Sequence, residues 1–142
     1  MNSLTLTEPA RWRDDAALRA AAGGAATQTP TALCTVTRID GSFSRRTGAQ
    51  LAIRGDGSFA GDLADGCLEA ALAADAARLA IADNPREVLR YGTGSPNIDF
   101  RLPCGGGLDV LVDAAPDRAL LAQAVQALDR REPTALAWPL DG

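Results

Sequence analysis

The sequence contains no histidine, and all 14 of its basic residues are arginine. The absence of histidine excludes Ser-His-Asp and Cys-His catalysis, together with every histidine-based metal site. The absence of lysine excludes Schiff-base chemistry and the lysine of a phosphate-binding P-loop. The chemistry of this chain must therefore come from cysteine, carboxylate, arginine and backbone amide groups.

Aromatic residues make up only 4% of the 142 residues, so alanine, leucine and valine must fill the core of what its length predicts to be one domain. No apolar run approaches the ~18–20 residues of a membrane span, and the net charge of −4 argues against non-specific nucleic-acid binding. Three widely spaced cysteines form neither a disulfide framework nor a zinc signature, and the start of the chain lacks a signal-peptide pattern. We therefore expect a cytoplasmic protein without a membrane or nucleic-acid partner.

The stretch Gly61–Glu69 is predicted to join a strand to a helix that begins near Gly66 and runs to about residue 82. This arrangement places Cys67 in the first helical turn, where unpaired N–H groups and the helix dipole favour a thiolate. Glu69 opposes that effect with a negative charge in the same turn. From position alone, an activated thiol and a small apolar packing residue are equally good interpretations of Cys67.

Two other segments carry candidate chemistry. The loop 40–48 brings Arg45 and Arg46 together with hydroxyl and amide groups, which suits a phosphate or another oxyanion, although a solvated turn is the simpler interpretation. Cys104 precedes three consecutive glycines, which indicate either a ligand close to the backbone or a tightly packed neighbour. Cys34 lies in the middle of a predicted strand and is expected to be a core residue without a chemical role.

The pattern of apolar residues and turn signals predicts a mixed α/β (α+β) fold. We expect a mixed sheet of about five strands, with a β-hairpin around Asp56-Gly57, packed by about three helices. The predicted helices cover residues 7–22, 66–82 and 116–131, and the predicted strands cover residues 31–39, 50–53, 59–61, 87–91 and 108–112, with a further strand beginning at 135–138.

Eight motifs follow one another between residue 32 and residue 113: Gly41-Ser42, Arg45, Gly48-Ala49, Asp56-Gly57, Gly61, Gly66-Cys67-Leu68-Glu69, Tyr91-Gly92 and Cys104-Gly105-Gly106. In their order and spacing, these motifs resemble the N-terminal domain of the XdhC/CoxI family. Three positions depart from the family pattern, since Ser44 replaces a proline and Ala64-Asp65 replaces a Ser-Gly pair. The resemblance implies that residues 1–142 form a single domain of this type, without the Rossmann-like domain that commonly follows it.

The resemblance further implies an accessory protein rather than a turnover enzyme. Such a protein would bind molybdenum cofactor (molybdopterin) and assist its maturation and insertion into a molybdenum hydroxylase such as xanthine dehydrogenase. The implied cofactor-binding residues are Ser42, Arg45, Arg46 and Gly48 for the phosphate, Gly66, Cys67 and Glu69 around the metal, and Cys104, Gly105 and Gly106 for the pterin. Cys67 is the implied ligand of molybdenum, because a thiolate suits a thiophilic metal.

The implied partners are an apo-hydroxylase, a sulfurtransferase and a separate Rossmann-domain protein, and the sequence leaves a homo-oligomer open. Two alternatives stand beside the cofactor carrier. One is a thiol-based redox or sulfur-transfer enzyme, in which Cys67 and Cys104 are catalytic. The other is a docking module without cofactor, in which Asp65 marks a lost binding site.

Overall fold

The computed structural model describes residues 15–23, 31–41, 43, 45–61, 63, 68–96, 105–133 and 135–137, and within these ranges five strands form one sheet. The strands are β1 (Thr31–Asp40), β2 (Gln50–Arg54), β3 (Phe59–Gly61), β4 (Arg86–Gly92) and β5 (Gly107–Asp113). The helices are α1 (described over residues 15–22), α2 (Glu69–Ala80) and α3 (Arg118–Asp129). The prediction of five strands, a hairpin and three helices is confirmed.

The strands lie in the order β3-β2-β1-β5-β4, and each of the four pairings within the described ranges is antiparallel rather than mixed. The hairpin connections of β1 to β2 and of β2 to β3 force antiparallel neighbours, because a short loop reverses the chain. The only helical crossover, within the described chain, carries α2 from β3 to β4, and these two strands are the opposite edges of the sheet.

One face of the sheet packs against α2. The alternation of β1 sends Cys34 and Val36 to this face, because successive side chains of a strand point to opposite sides. The predicted apolar stripe of the helix is confirmed, since its residues are buried in the same cluster: Leu68, Leu72, Ala76 and Leu79. The helix begins at Glu69, with Leu68 as its N-cap, and ends at Ala80, so the predicted start near Gly66 is wrong and Cys67 precedes the first helical turn in the sequence.

The opposite face packs against α1 and α3. Leu33 of β1 and Ala52 of β2 join a second buried cluster with Leu18 and Leu121 of these helices. The two helices are also linked by an ion pair, in which Nη2 of Arg19 lies 2.8 Å from Oδ1 of Asp129. Both sides of the sheet are therefore covered, and its central strands are the most buried part of the described chain.

Two of the predicted elements lie toward the ends of the chain. The strand predicted to begin at residue 135 is wrong for residues 135–137, which form no ladder; Leu136 packs instead against the cluster of α1 and α3. Residues 7–14 of the first predicted helix lie outside the described residues. Among the helices of the described chain, none combines the length and the hydropathy needed to cross a membrane.

The buried Cys34 generates a prediction about alkaline stability. Burial, with the negative charges of Asp113 and Asp75, raises the pKa of its thiol to about 12. In the unfolded chain, the pKa of a cysteine thiol is about 8.5. The native state holds this proton more tightly, so the associated stability is complete below about pH 8.5 and is lost as the pH rises toward 12. Between pH 8.5 and 10, wild type should lose up to about 2 kcal/mol more unfolding free energy than Cys34→Ala. Urea unfolding of both proteins at several pH values tests this, and a constant difference between them would contradict it.

Candidate functional site

The topology brings the ends of the three candidate segments to one end of the sheet. Asp40 at the end of β1 pairs with Gly107 at the start of β5, and Gly107 also pairs with Gly92 at the end of β4. Gly61 at the end of β3 pairs with the second residue of β2. Gln50 at the start of β2 pairs with Thr35, so β2 and β3 stop five residues short of Asp40 on this side of the sheet. The strand termini on this side, namely Asp40, Gln50, Gly61, Gly92 and Gly107, are together called here the glycine end. The 41–49 loop, the β3–α2 connection and the β4–β5 connection all leave the sheet from it.

The 41–49 loop returns directly to β1. The Gly48 N–H donates to the carbonyl of Val36 at 2.8 Å, and the Val36 N–H donates to the carbonyl of Ala49 at 2.9 Å. Phe43 packs against the core on the α2 side, whereas Arg46 and Gly48 are exposed. The loop is therefore anchored in the core at Phe43 and presents at least one of its two arginines to solvent.

A bulge redirects β1 just before this loop. The pairing of β1 with β5 shifts register between Val36 and Arg38, and the hydroxyl of Thr37 donates to the carbonyl of Asp109 at 3.2 Å. Bulges bend a strand and increase its twist, and they occur often beside functional sites. Here the bulge sets the direction in which Asp40 and the following loop leave the sheet.

The 41–49 loop and the glycines that follow Cys104 approach each other closely at two glycine residues. A Cβ built on Gly41 would lie 3.3 Å from the Cα of Gly106, and Gly41 has a φ of +83° that disfavours any side chain. Gly106 is buried, whereas Gly105 is exposed and has open space where a Cβ would lie. The loop of Arg45 and the glycines after Cys104 therefore share one surface.

The third glycine of the run is explained by a neighbour within the protein. A Cβ on Gly107 would lie 2.3 Å from Nη2 of Arg90 and 2.6 Å from the carbonyl oxygen of Thr93. Thr93 also closes over the preceding residues, since its N–H donates to the carbonyl of Gly106 and its hydroxyl donates to that of Gly105, both at 3.1 Å. Tight packing thus accounts for Gly107, and Gly105 is the glycine that faces outward.

Arg90 is the centre of an ion cluster at the glycine end. Its Nη1 lies 2.8 Å from Oδ2 of Asp40 and 3.2 Å from Oδ1 of Asp109, and its Nε donates to the carbonyl of Thr93 at 2.8 Å. The hydrogen bond from Arg90, with the charge of Arg38 nearby, lowers the pKa of Asp40. Burial opposes the charge of Arg90, but the bonds to its two carboxylates prevail and raise its pKa. The guanidinium therefore stays charged and bridges three separate parts of the chain.

The start of α2 lies on the face of the sheet opposite the Arg90 side chain. Leu68 is its N-cap and offers no side-chain cap, and Glu69 is buried in the first turn, where a negative charge suits the positive end of the helix dipole. The helix is tied to β4 by the phenol of Tyr91, which donates to Oδ2 of Asp75 at 2.5 Å. Burial and this hydrogen bond raise the pKa of Tyr91, so the phenol stays protonated as a donor.

Several predicted site residues lie outside the described residues, namely Ser42, Gly66, Cys67 and Cys104. Those described are Arg45, Arg46, Gly48, Glu69, Gly105 and Gly106, of which Glu69 belongs to α2 and the others to the two loops that meet at Gly41 and Gly106. Within the described part of the chain, no cluster of three carboxylates or thiols is arranged to hold a metal ion. Sequence reasoning missed Arg90, Asp40 and Asp109; the available signal was an arginine directly before Tyr91-Gly92 in a strand that had to end near the glycine run.

Comparison with known proteins gives three findings. Residues 24–92 match the model of the XdhC and CoxI family. The chain is 37% identical over 106 residues to the molybdenum cofactor insertion chaperone PaoD of Escherichia coli (strain K12), a match that covers 75% of this chain and 33% of that protein. This chain therefore spans about a third of the length of this curated relative.

A solved structure described as a xanthine dehydrogenase from Bacillus halodurans has the same fold. It superposes with a TM-score of 0.65 at 23% identity, covering 81% of this chain and 35% of that chain. At this identity the likeness establishes the fold alone.

The packing around the third glycine generates a prediction. Gly107→Ala should destabilise the protein by about 1–3 kcal/mol, because the added methyl group would overlap the backbone oxygen of Thr93 as well as the guanidinium of Arg90. Gly23→Ala is the matched control, since its Cβ would meet nothing within 4 Å and should change stability by less than about 0.5 kcal/mol. Chemical denaturation of both variants tests this, and equal stabilities would contradict the packing argument.

Proposed function

Since this chain belongs to the XdhC and CoxI family, we propose that it binds molybdenum cofactor and assists its maturation and insertion into a molybdenum hydroxylase. The observation that carries the proposal is the convergence at the glycine end, where the 41–49 loop meets the glycines that follow Cys104. The name of the Escherichia coli relative, a molybdenum cofactor insertion chaperone, supports the choice of cargo. The role is that of an accessory protein rather than a turnover enzyme.

The residues proposed to contact the cofactor fall into three groups, one each for its phosphate, its metal and its pterin. Arg45 and Arg46, with the amide of Ser42 and with Gly48 beside them, would hold the phosphate of molybdopterin, because guanidinium groups bind phosphate in a bidentate manner. Cys67, with Gly66 and Glu69 beside it, would ligate molybdenum as a thiolate. Cys104, Gly105 and Gly106 would line the planar pterin. The support for these assignments is that Arg46, Gly48 and Gly105 are exposed at the glycine end.

The proposed partners follow from the cargo. An apo-hydroxylase would receive the cofactor, a sulfurtransferase would supply sulfur during maturation, and a separate Rossmann-domain protein would complement this domain. We also propose that residues 1–142 act as a single domain and that the exchange takes place in the reducing cytoplasm, where free thiols persist. A homo-oligomer is compatible with this scheme.

The arginine loop generates a prediction about cargo retention. Protein purified beside an active source of molybdenum cofactor should carry pterin, which is released and measured by fluorescence. Arg46→Ala should lower the retained pterin roughly tenfold or more, because a hydrogen bond to a charged group contributes about 1.5–3 kcal/mol. Arg54→Ala removes the same charge from the opposite end of β2 and should leave retention unchanged.

Equal losses in these two variants would mean that only net charge matters and would contradict the assigned phosphate site. Absence of pterin from the wild-type protein under conditions that load a full-length family member would favour the docking module. These outcomes separate the cofactor carrier from an interaction domain that holds no cargo.

The cysteines generate a prediction about thiol reactivity. Cys67 should be alkylated faster than Cys34 at neutral pH, because Cys34 is fully buried with a pKa raised to about 12, whereas Cys67 directly precedes the N-cap of α2 and a nearby helix N-terminus lowers a thiol pKa. Mass spectrometry of each cysteine after alkylation at several pH values gives the rates. A faster reaction at Cys34, or titration of Cys67 near about 8.5, would contradict the site. A Cys67–Cys104 disulfide under mild oxidation would favour the thiol-based enzyme.

A further inference from the structure

The arginine at the end of β4 reaches across a neighbouring strand. In the sheet order, β5 lies between β4 and β1, yet Nη1 of Arg90 lies 2.8 Å from Oδ2 of Asp40, the last residue of β1. The guanidinium passes over Gly107, whose missing side chain leaves the necessary space. A residue of β4 is thereby bonded directly to the point at which the 41–49 loop leaves the sheet.

The same guanidinium also bonds residues on both sides of the β4–β5 connection. Its Nε donates to the carbonyl of Thr93 at the beginning of that connection, and its Nη1 bonds Asp109 in β5. Thr93 in turn donates to the carbonyls of Gly105 and Gly106 at the other end. One side chain therefore connects the two segments that meet at the glycine end.

The face on which Arg90 lies shows how it can act. Arg90 pairs with Asp109, and their neighbours Tyr91 and Leu108 belong to the cluster on the α2 face. Because successive side chains alternate, Arg90 and Asp109 point to the face opposite α2. The start of α2, with Glu69 in its first turn, is on the other side of the sheet, so Arg90 supports the two loops from the face opposite α2.

From these contacts we propose that Arg90 is a positioning residue, which holds the 41–49 loop and the glycines 105–107 in a single arrangement through Asp40, Asp109 and Thr93. Its consequence for cofactor retention rests on the proposed function, whereas the coupling of the two segments does not. The side chain of Arg90 is only 22% exposed, which favours ordered bonds over the loose pairing of a surface ion pair.

The test compares Arg90→Gln with a matched control, Arg78→Gln. Arg78 also bonds two carboxylates, at 3.6 Å to Asp75 and 3.4 Å to Glu87, but its side chain is 54% exposed and it lies in the last turn of α2, away from the glycine end. Hydrogen exchange of the cargo-free proteins, read by mass spectrometry, measures the opening of each segment. Arg90→Gln should accelerate exchange roughly tenfold in peptides that cover 38–49 and 105–109, and should leave the α2 peptide unchanged.

Two further variants keep the test decisive if Arg90→Gln folds poorly. Arg90→Lys keeps the charge but lacks the planar fork that reaches Asp40, Asp109 and Thr93 together, so it should open the same two segments to a smaller extent. Asp40→Asn should open the 38–49 peptide, and adding Arg90→Gln to it should cause little further change in that peptide.

Faster exchange in both segments, with no change in Arg78→Gln, supports the positioning role. Uniform acceleration along the chain, or acceleration confined to β4 and β5, would overturn it. Pterin retention is measured in parallel, and the Arg90 variants should retain less than Arg78→Gln. If wild type retains no pterin, the proposed function fails, while the exchange result still decides the role of Arg90.

Discussion

The double pairing of β1 is the constraint on which the rest of the structure depends. This strand pairs with β2 on one side and β5 on the other, and both registers are fixed because its alternate residues must enter two different buried clusters. A slip by one residue would exchange Leu33 with Cys34 between the two faces. With β1 fixed, the ends of β2, β4 and β5 are fixed as well, and three loops must emerge at the glycine end.

Long-range contacts then refine what the pairing establishes. The bulge at Thr37 turns the end of β1, and Arg90 bonds Asp40 across β5 only because Gly107 has no side chain. Each of these features would have little value alone: the bulge without Arg90 would leave Asp40 at a solvated strand end, and Gly107 without Arg90 would be an entropic cost. Together, the bulge, Arg90 and Gly107 hold the loops at this end of the sheet in place.

A feature can be predicted from the sequence when the residues that cause it are close together in the chain. The hairpin and the buried stripe of α2 were predictable, because turn chemistry and helical spacing are encoded within a few residues. The bond between Asp40 and Arg90 was not, since 50 residues of sequence separate two charges that the register alone brings together. The glycine run is visible in the sequence, but only the positions of Arg90 and Thr93 show that packing, rather than a ligand, accounts for Gly107. The strand predicted to begin at 135–138 is wrong for residues 135–137, because an apolar residue can also pack against helices, as the partly buried Leu136 does.

The family match ends at Gly92, yet the sheet of the described residues cannot be assembled from the matched region alone. β4 pairs only with β5 in the described sheet, and β5 begins at Gly107, beyond the match. The matched segment supplies the 41–49 loop, α2 and Arg90, while the following segment supplies the strand that Arg90 crosses and the carboxylate of Asp109. If the cofactor site is at the glycine end, it is therefore built jointly by the two segments, and β5 contributes by holding β1 and β4 at the spacing that one arginine side chain can bridge.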